Sequence, residues 1–339
     1  MLAKAKKELL LGVRQWPLSI ERVPDTILPE ALLNERLEIH MVAGSSLPHG
    51  NTKAITVLGL LSGHQSFEGV DTLVEGTSGN TGKVVSAVAF RFGIPKVVLI
   101  MESDVPNGKR FPGIAHGAKI MPPEDGLTTI QTARAWGKRP GWLNLDQYSN
   151  PNGLLLHRDF IGPKIVSTLI ERPTLFAAPI GTGGSLGGVR EYLIRRGCCE
   201  FIGVLLDEDE ELPGMRDEPG MKEVELPWRT YADRIVKVEA RESYYASLCL
   251  IRATGLSLGP TAGAAFIGLL KRLLDCKAAG ALDSVRNRAG KIIAVVLGPD
   301  GYEVYGDRYD ARVHRRHSKP GMLPLPWKFL NQKHRSFSA

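Results

Sequence analysis

At 339 residues the chain is long enough for two domains, each with its own core, and its 43% hydrophobic and 23% charged residues are ordinary for a soluble globular protein. Apolar runs of the length of Ile292–Leu297 are too short to span a bilayer, which excludes an integral helical membrane protein. The net charge of +7 is concentrated near the end of the chain, so the globular part is not broadly basic.

The opening MLAKAKKELLLG reads as an exposed amphipathic helix, since it lacks the long apolar stretch and cleavage site of a signal peptide. Thr72–Glu75 is a short apolar strand, followed by the loop TSGNTG and the helix KVVSAVAFRFG. In that helix Val84, Val85, Val88 and Ala89 share one face, and Gly93 and Pro95 end it. Lys96–Met101 is a buried strand, and HGAKIM supplies another after Gly117. Leu175–Ile180 is a strand leading through GTGGSLGG into the helix VREYLIRR, and Phe201–Leu206 is the next strand. A long helix over Ala262–Ala279 precedes KIIAVVLG, which closes the sheet. Strands separated by helices mean a parallel α/β fold, and two glycine-rich loops between strand and helix mean two such units. Cys198, Cys199, Cys249 and Cys276 show no CxxC pair and no zinc spacing, so they are expected to be reduced thiols in a cytoplasmic protein, with no metal. After about residue 308 the pattern is lost. The basic end, with His314, His317 and His334, is expected to be a solvated extension or to pack on a partner subunit, without membrane or nucleic-acid contact.

The loop Gly181–Gly188 can be read in several ways. Backbone N–H groups of a glycine loop opening a helix form an anion nest, which favours a phosphate-bearing ligand. A dinucleotide site is one reading, with Asp207 after the next strand as the ribose-binding acid and an NAD-dependent dehydrogenase as the activity. The spacing, however, is GxGxxxG rather than GxGxxG. A hydrolase elbow is another, because Gly183–Gly187 matches GxSxG around Ser185, with His314, His317 or His334 as base. A tight turn without a ligand is the third, and the second glycine loop weakens it.

Six segments in order decide among these. EGTSGNTGK (75–83), LPHGNTKAI (47–55), DQYSNPNG with GPKI (146–165), GTGGSLGGV (181–189), GLSLGPTAGAA (255–265) and GDRY (306–309) together resemble the cysteine synthase and cystathionine β-synthase family. That resemblance implies the tryptophan synthase β-like fold (fold type II) with two parallel-sheet α/β domains. The larger would take residues 12–40 and 157–308 and the smaller 41–156, leaving 309–339 as a basic extension. It implies pyridoxal 5′-phosphate (PLP) as cofactor, with Lys53 as Schiff-base lysine and proton acceptor. Gly181, Thr182, Gly183, Gly184 and Ser185 would hold the phosphate, Asn80 the 3′-oxygen, and Thr261 the ring nitrogen. Thr77, Ser78, Gly79, Asn80, Thr81 and Gln147 would receive the substrate carboxylate. The implied reaction is β-replacement on O-acetylserine, O-phosphoserine or serine through an α-aminoacrylate, with a small nucleophile as second substrate, in a homodimer. A serine/threonine dehydratase-like β-elimination is the alternative within the family, and a catalytically silent homologue is a further one.

Some segments depart from the family pattern. Ala54-Ile55 replaces Asp-Arg after the lysine, SDVPNGKR (103–110) replaces SxERR, PDTIL (24–28) stands for GNTPL, and DEDEELPGMRDEPG (207–220) is an acidic insertion. These bear on the substrate rather than on the cofactor. At Thr261 a neutral hydroxyl rather than a carboxylate would face the ring nitrogen, unless it merely caps the helix starting near Ala262. Capping is also the alternative for Ser78 and Thr81.

Overall fold

The computed structural model describes residues 11–197 and 200–312. Its strands are β1 (Ser19–Arg22), β2 (Leu37–Ala43), β3 (Thr72–Gly76), β4 (Lys96–Ile100), β5 (Lys119–Met121) and β6 (Trp142–Asn144), then β7 (Leu175–Pro179), β8 (Glu200–Leu206), β9 (Arg234–Val238) and β10 (Ile292–Gly298). They form two sheets, in the order β1-β2-β10-β7-β8-β9 and β5-β4-β3-β6. Every pairing is parallel except β1 with β2, whose Ser19 faces Ala43. Strands β3, β7 and β10 are buried along their whole length, as β-branched and leucine-rich runs are when helices cover both faces of a parallel sheet.

The helices are α1 (Lys53–Gly63), α2 (Asn80–Val88), α3 (Asn107–Ala115), α4 (Thr129–Trp136) and α5 (Asn152–Leu156), then α6 (Gly162–Thr168), α7 (Gly184–Leu193), α8 (Ala240–Thr254), α9 (Pro260–Ala278) and α10 (Gly306–Arg312). A single π-turn, His157–Ile161, joins α5 to α6. Helix α9 buries Phe266, Leu269, Leu270 and Leu273 in one core with Val204 of β8 and Val296 of β10. A second core gathers Ile55, Leu58 and Leu61 of α1 with Val84, Val85 and Leu73.

Both glycine loops are shorter than their sequence suggests. Helix α2 starts at Asn80, inside TSGNTG, and α7 at Gly184, inside GTGGSLGG. The reason is backbone: Gly79 and Gly183 hold φ of 123° and 83°, so the chain turns into the helix at once. Helix α9 begins at Pro260, whose fixed φ suits a first helical position, so Thr261 lies inside the first turn and caps nothing. The expected boundaries at 40/41 and 308/309 fall within β2 and α10. The opening helix, Cys198, Cys199 and the tail histidines lie outside the described residues. Cys249 and Cys276 are buried. Among the described residues no helix is long and apolar enough to cross a membrane, and no group of His, Cys, Asp and Glu is arranged to hold a metal.

Candidate active site

A cavity of about 610 Å³ opens where β3, β7, β8 and β10 end, and the segments following those strands supply its wall. Carboxyl ends of parallel strands are where such folds bind ligands, because the connecting loops converge there. Lys53 lines this cavity as the first residue of α1. His49 and Gly50 take φ of 65° and 67° to reverse the chain, and Asn51 Oδ1 accepts the Lys53 backbone N–H at 3.0 Å. The Thr52 N–H donates to Pro299 O at 2.8 Å, which ties the lysine segment to the loop after β10. Burial lowers the Lys53 amine to about 8, which an ionised Glu75 would oppose; Lys109 and Arg216 add to the lowering. A lysine with that value is a usable base and nucleophile near neutral pH.

The TSGNTG segment faces Lys53, with Thr77, Ser78, Asn80 and Thr81 on the wall. Thr77 Oγ1 accepts from the N–H groups of Gly79 (2.9 Å) and Gly82 (3.3 Å), so Thr77 supports the helix entry and neither Ser78 nor Thr81 caps it. Thr81 donates to Gln147 Oε1 at 2.8 Å, and Gln147 Nε2 donates to Gly76 O at 3.3 Å. Gln147 thus anchors the loop and keeps one amide N–H for a ligand. Gly79 lies against Lys109: a Cβ at this glycine would fall 2.4 Å from Lys109 Cβ.

Opposite, Gly181 and Thr182 line the cavity, while Gly183, Gly184 and Ser185 lie behind its wall in the turn and first turn of α7. A Cβ on Gly183 would sit 2.9 Å from Trp228 Cβ, so this turn presents backbone rather than side chain. Ser185 Oγ approaches Nε2 of the fully buried His157 at 3.4 Å, and Thr56 Oγ1 lies 2.9 Å from the same nitrogen. Burial, with the nearby Lys53 charge, drops His157 to about 3, so its ring is neutral. Its Nδ1 has no hydrogen-bond partner, so no acid completes a relay through Ser185 and His157, while the tail histidines of the hydrolase reading lie outside the described residues. Asp207, the acid a dinucleotide site requires, is not on the cavity wall.

The roles of three features could not be read from the sequence, although two of them lie in segments that depart from the family pattern. The acidic segment 207–220 folds over the cavity and contributes Leu212, Gly214 and Arg216 to its wall. Lys109, from the segment that departs from SxERR, has no exposed side-chain surface. Its Nζ donates to Tyr305 OH (2.8 Å) and Pro213 O (2.9 Å) and lies 3.5 Å from Asp300 Oδ2. Asp300 also receives Asn80 Nδ2 at 2.6 Å, Tyr305 OH at 2.8 Å and Thr261 Oγ1 at 2.7 Å. The third feature is Glu75. Burial, reinforced by the Asp146 charge, raises it to about 8, and its Oε2 has no partner. Glu75 is therefore a neutral acid at pH 7.

That shift sets a pH dependence. Below pH 4.5 Glu75 is protonated both folded and unfolded. Between 4.5 and about 8 the unfolded chain releases the proton and the folded chain keeps it, so stability falls as pH rises. Glu75→Gln, a neutral isostere, is expected to flatten this part of the stability–pH curve while keeping the fold. Equal slopes for the two proteins in denaturant melts across that window would refute the assignment.

The residues fit PLP. An amine of lowered basicity, a helix N-terminus behind a turn closed to side chains, and hydroxyl and amide donors all converge on one cavity. A family model described as pyridoxal-phosphate dependent enzyme matches residues 44–285. Cysteine synthase of Aquifex aeolicus is 27% identical over 245 residues, covering 69% of this chain and 70% of that protein. Cystathionine beta-synthase of Apis mellifera is 30% identical over 228 residues, 60% of this chain but only 44% of that protein. Among solved structures, cysteine synthase from Entamoeba histolytica superposes with a TM-score of 0.77 at 15% identity, over 94% of this chain and 95% of that one. O-ureido-L-serine synthase does so at 0.69 and 22%, over 93% and 96%. The likeness to these structures is one of fold.

Proposed function

The chain belongs to the pyridoxal-phosphate dependent enzymes, and on that premise we propose that it replaces the β-substituent of an activated serine, using Lys53 as cofactor-bearing lysine and base. The observation that carries this is Lys53 itself, lowered to about 8 and set at the cavity between TSGNTG and the turn into α7. When bound, PLP supplies an electron sink for chemistry at the α- and β-carbons of an amino acid. The chain supplies the rest. Gly181, Thr182 and the N-terminus of α7 would hold the phosphate, with Gly183, Gly184 and Ser185 offering backbone N–H groups. One Asn80 amide N–H goes to Asp300, which leaves the other for the cofactor's 3′-oxygen. Ser78, Gln147, the backbone N–H groups of Asn80 and Thr81, and the O–H of Thr77 would receive the substrate carboxylate, since the Thr81 hydroxyl proton goes to Gln147; Gly79 shapes the turn. Lys53 would take the α-proton. The test is borohydride reduction of the yellow protein: a pyridoxyl adduct is expected on Lys53, and an adduct on another lysine, or none, overturns the reading.

Among O-acetylserine, O-phosphoserine and serine, an anionic leaving group would have Arg216 as its partner, on a wall that otherwise carries the acids Glu102, Asp104, Asp209, Glu210, Glu211 and Asp217. Arg216 lines the wall half-buried, is held by Gly220 O at 3.0 Å, and acts electrostatically on Lys53. A charge-assisted bond to a phosphate oxygen is worth about 1.5–3 kcal/mol, or roughly 10- to 100-fold. Arg216→Gln is expected to lower kcat/KM for O-phosphoserine by that factor and to leave O-acetylserine nearly unchanged. Equal losses on both substrates would remove Arg216 from leaving-group recognition. β-Elimination to a keto acid is the alternative outcome; it would show as keto-acid release that added sulfide, thiol or amine does not suppress.

A further inference from the structure

Arg134 does not line the cavity, yet its guanidinium joins two segments that do. Its Nε and Nη2 donate to the two carboxylate oxygens of Asp146 at 2.7 and 3.4 Å, and Nη1 pairs with Glu225 Oε1 at 2.8 Å. Asp146 holds φ of 49°, a left-handed backbone uncommon outside glycine. Its carboxylate keeps that turn by also taking the Tyr148 N–H (3.2 Å) and the Ser149 O–H (2.7 Å). The next two residues serve different neighbours. Gln147 bonds Thr81 and Gly76 O, and so holds the TSGNTG loop. Tyr148 O accepts the backbone N–H groups of Glu225 and Leu226 at 3.0 and 3.1 Å, at the far end of the segment that starts as the acidic wall. Helix α4, which carries Arg134, is wedged between the same two neighbours. Its N-cap Thr128 donates to Glu223, and a Cβ on Gly76 would fall 2.7 Å from Thr129 O.

We propose that Arg134 is a positioning residue that clamps the TSGNTG loop and the wall segment 207–226 in one register, so that the two ends of an amino-acid substrate meet groups at a fixed separation. This rests on the reading that places the substrate carboxylate at TSGNTG and Gln147. The loop follows β3 of the smaller sheet, and the wall segment leaves β8 of the larger one. Gln147 and Tyr148 are neighbours in the chain, so one peptide unit separates the anchor of the loop from the anchor of the wall. Arg134 fixes that unit through Asp146 and ties it to the wall through Glu225. Arg216, on the same wall segment, rests over the Tyr148 ring at 5.0 Å from its centroid. A guanidinium suits the task because its nitrogens form a rigid planar fork, whereas an ammonium offers a single nitrogen. Arg134 touches neither substrate nor reacting atoms; it acts through Asp146 and Glu225.

Backbone amide hydrogen exchange of the holoenzyme reads the clamp directly. In the wild type the N–H groups of Glu225 and Leu226 are expected to exchange slowly, and more slowly with L-alanine, which has the carboxylate but no leaving group. Arg134→Gln should speed exchange at both amides by roughly tenfold and cancel the effect of alanine, with the amides of β3 and β4 unchanged. KM for O-acetylserine should rise by a similar factor while kcat changes less, the pattern of lost substrate binding. Arg134→Lys should restore neither, since charge alone does not bridge Asp146 and Glu225. Exchange at these amides that ignores Arg134→Gln, or that Arg134→Lys restores, overturns the clamp. Released exchange with an unaltered KM overturns its part in the site. If Arg134→Gln loses protection throughout the protein, Glu225→Gln, which removes only the exposed arm of the fork, is read by the same outcomes. A protein without the Lys53 adduct loses the cofactor reading, while the exchange result still decides the clamp.

Discussion

Replacing Lys53 by alanine is expected to lower turnover by about a thousandfold or more and to abolish the borohydride-fixed adduct, because the same amine is asked to bind the cofactor and to move the α-proton. Lys53→Arg should not rescue, since a guanidinium does not deprotonate in this range. The lowered basicity of Lys53 adds a pH signature. A lysine at 10.5 is about 0.3% neutral at pH 8, whereas one at about 8 is half neutral, roughly a hundredfold gain in reactive amine. The rate at which cofactor-free enzyme takes up PLP should therefore rise with pH and level off above about 8. Turnover retained in Lys53→Ala, or an uptake rate still climbing steeply beyond pH 9, would refute this assignment.

The second large effect belongs to Asp300. Asp300→Ala strands the Lys109 ammonium, whose side chain has no exposed surface and, among the described residues, no other carboxylate within ion-pair distance. Removing one partner of a buried pair costs about 3–5 kcal/mol. Lys109→Met with Asp300→Asn should cost distinctly less, because neither charge is then buried alone. The sign with pH follows from burial, which lowers Lys109 despite the opposing Asp300 charge. Without Asp300 the folded protein binds its proton more weakly still, while the unfolded chain binds it normally. Stability then rises with pH, so the deficit of Asp300→Ala should shrink as the solution becomes more alkaline. Denaturant melts at several pH values measure this. A deficit under 1 kcal/mol at neutral pH would mean that the ion pair holds little.

The parts of this protein legible in its sequence are those coded over a few neighbouring residues. The strands β3, β4, β7, β8 and β10 are apolar runs bounded by glycine or proline, and burial on both faces is what such runs require. Strands β1 and β2 were not legible, because Glu21, Glu38 and His40 interrupt their apolar residues and only pairing makes them strands. Helix starts were misplaced by two to five residues, since Gly79 and Gly183 at positive φ begin α2 and α7, and Pro260 begins α9, sooner than composition suggests.

By itself the sequence determined the parallel α/β class, the family, the cofactor, and the segments that meet at the cavity, because each is written in a contiguous motif. Only the tertiary structure decided that Thr261 answers to Asp300 instead of capping α9, that Lys109 is a buried ion, that Glu75 is a neutral acid, and that the acidic segment 207–220 is a wall of the site. Lys109 and Asp300 stand 191 positions apart, and Asn80 and Asp300 220. A lysine or aspartate in a sequence reads as solvated surface by default. Its charge state and partners follow from burial and from what the fold brings within 3–4 Å, and neither periodicity nor a local motif records that.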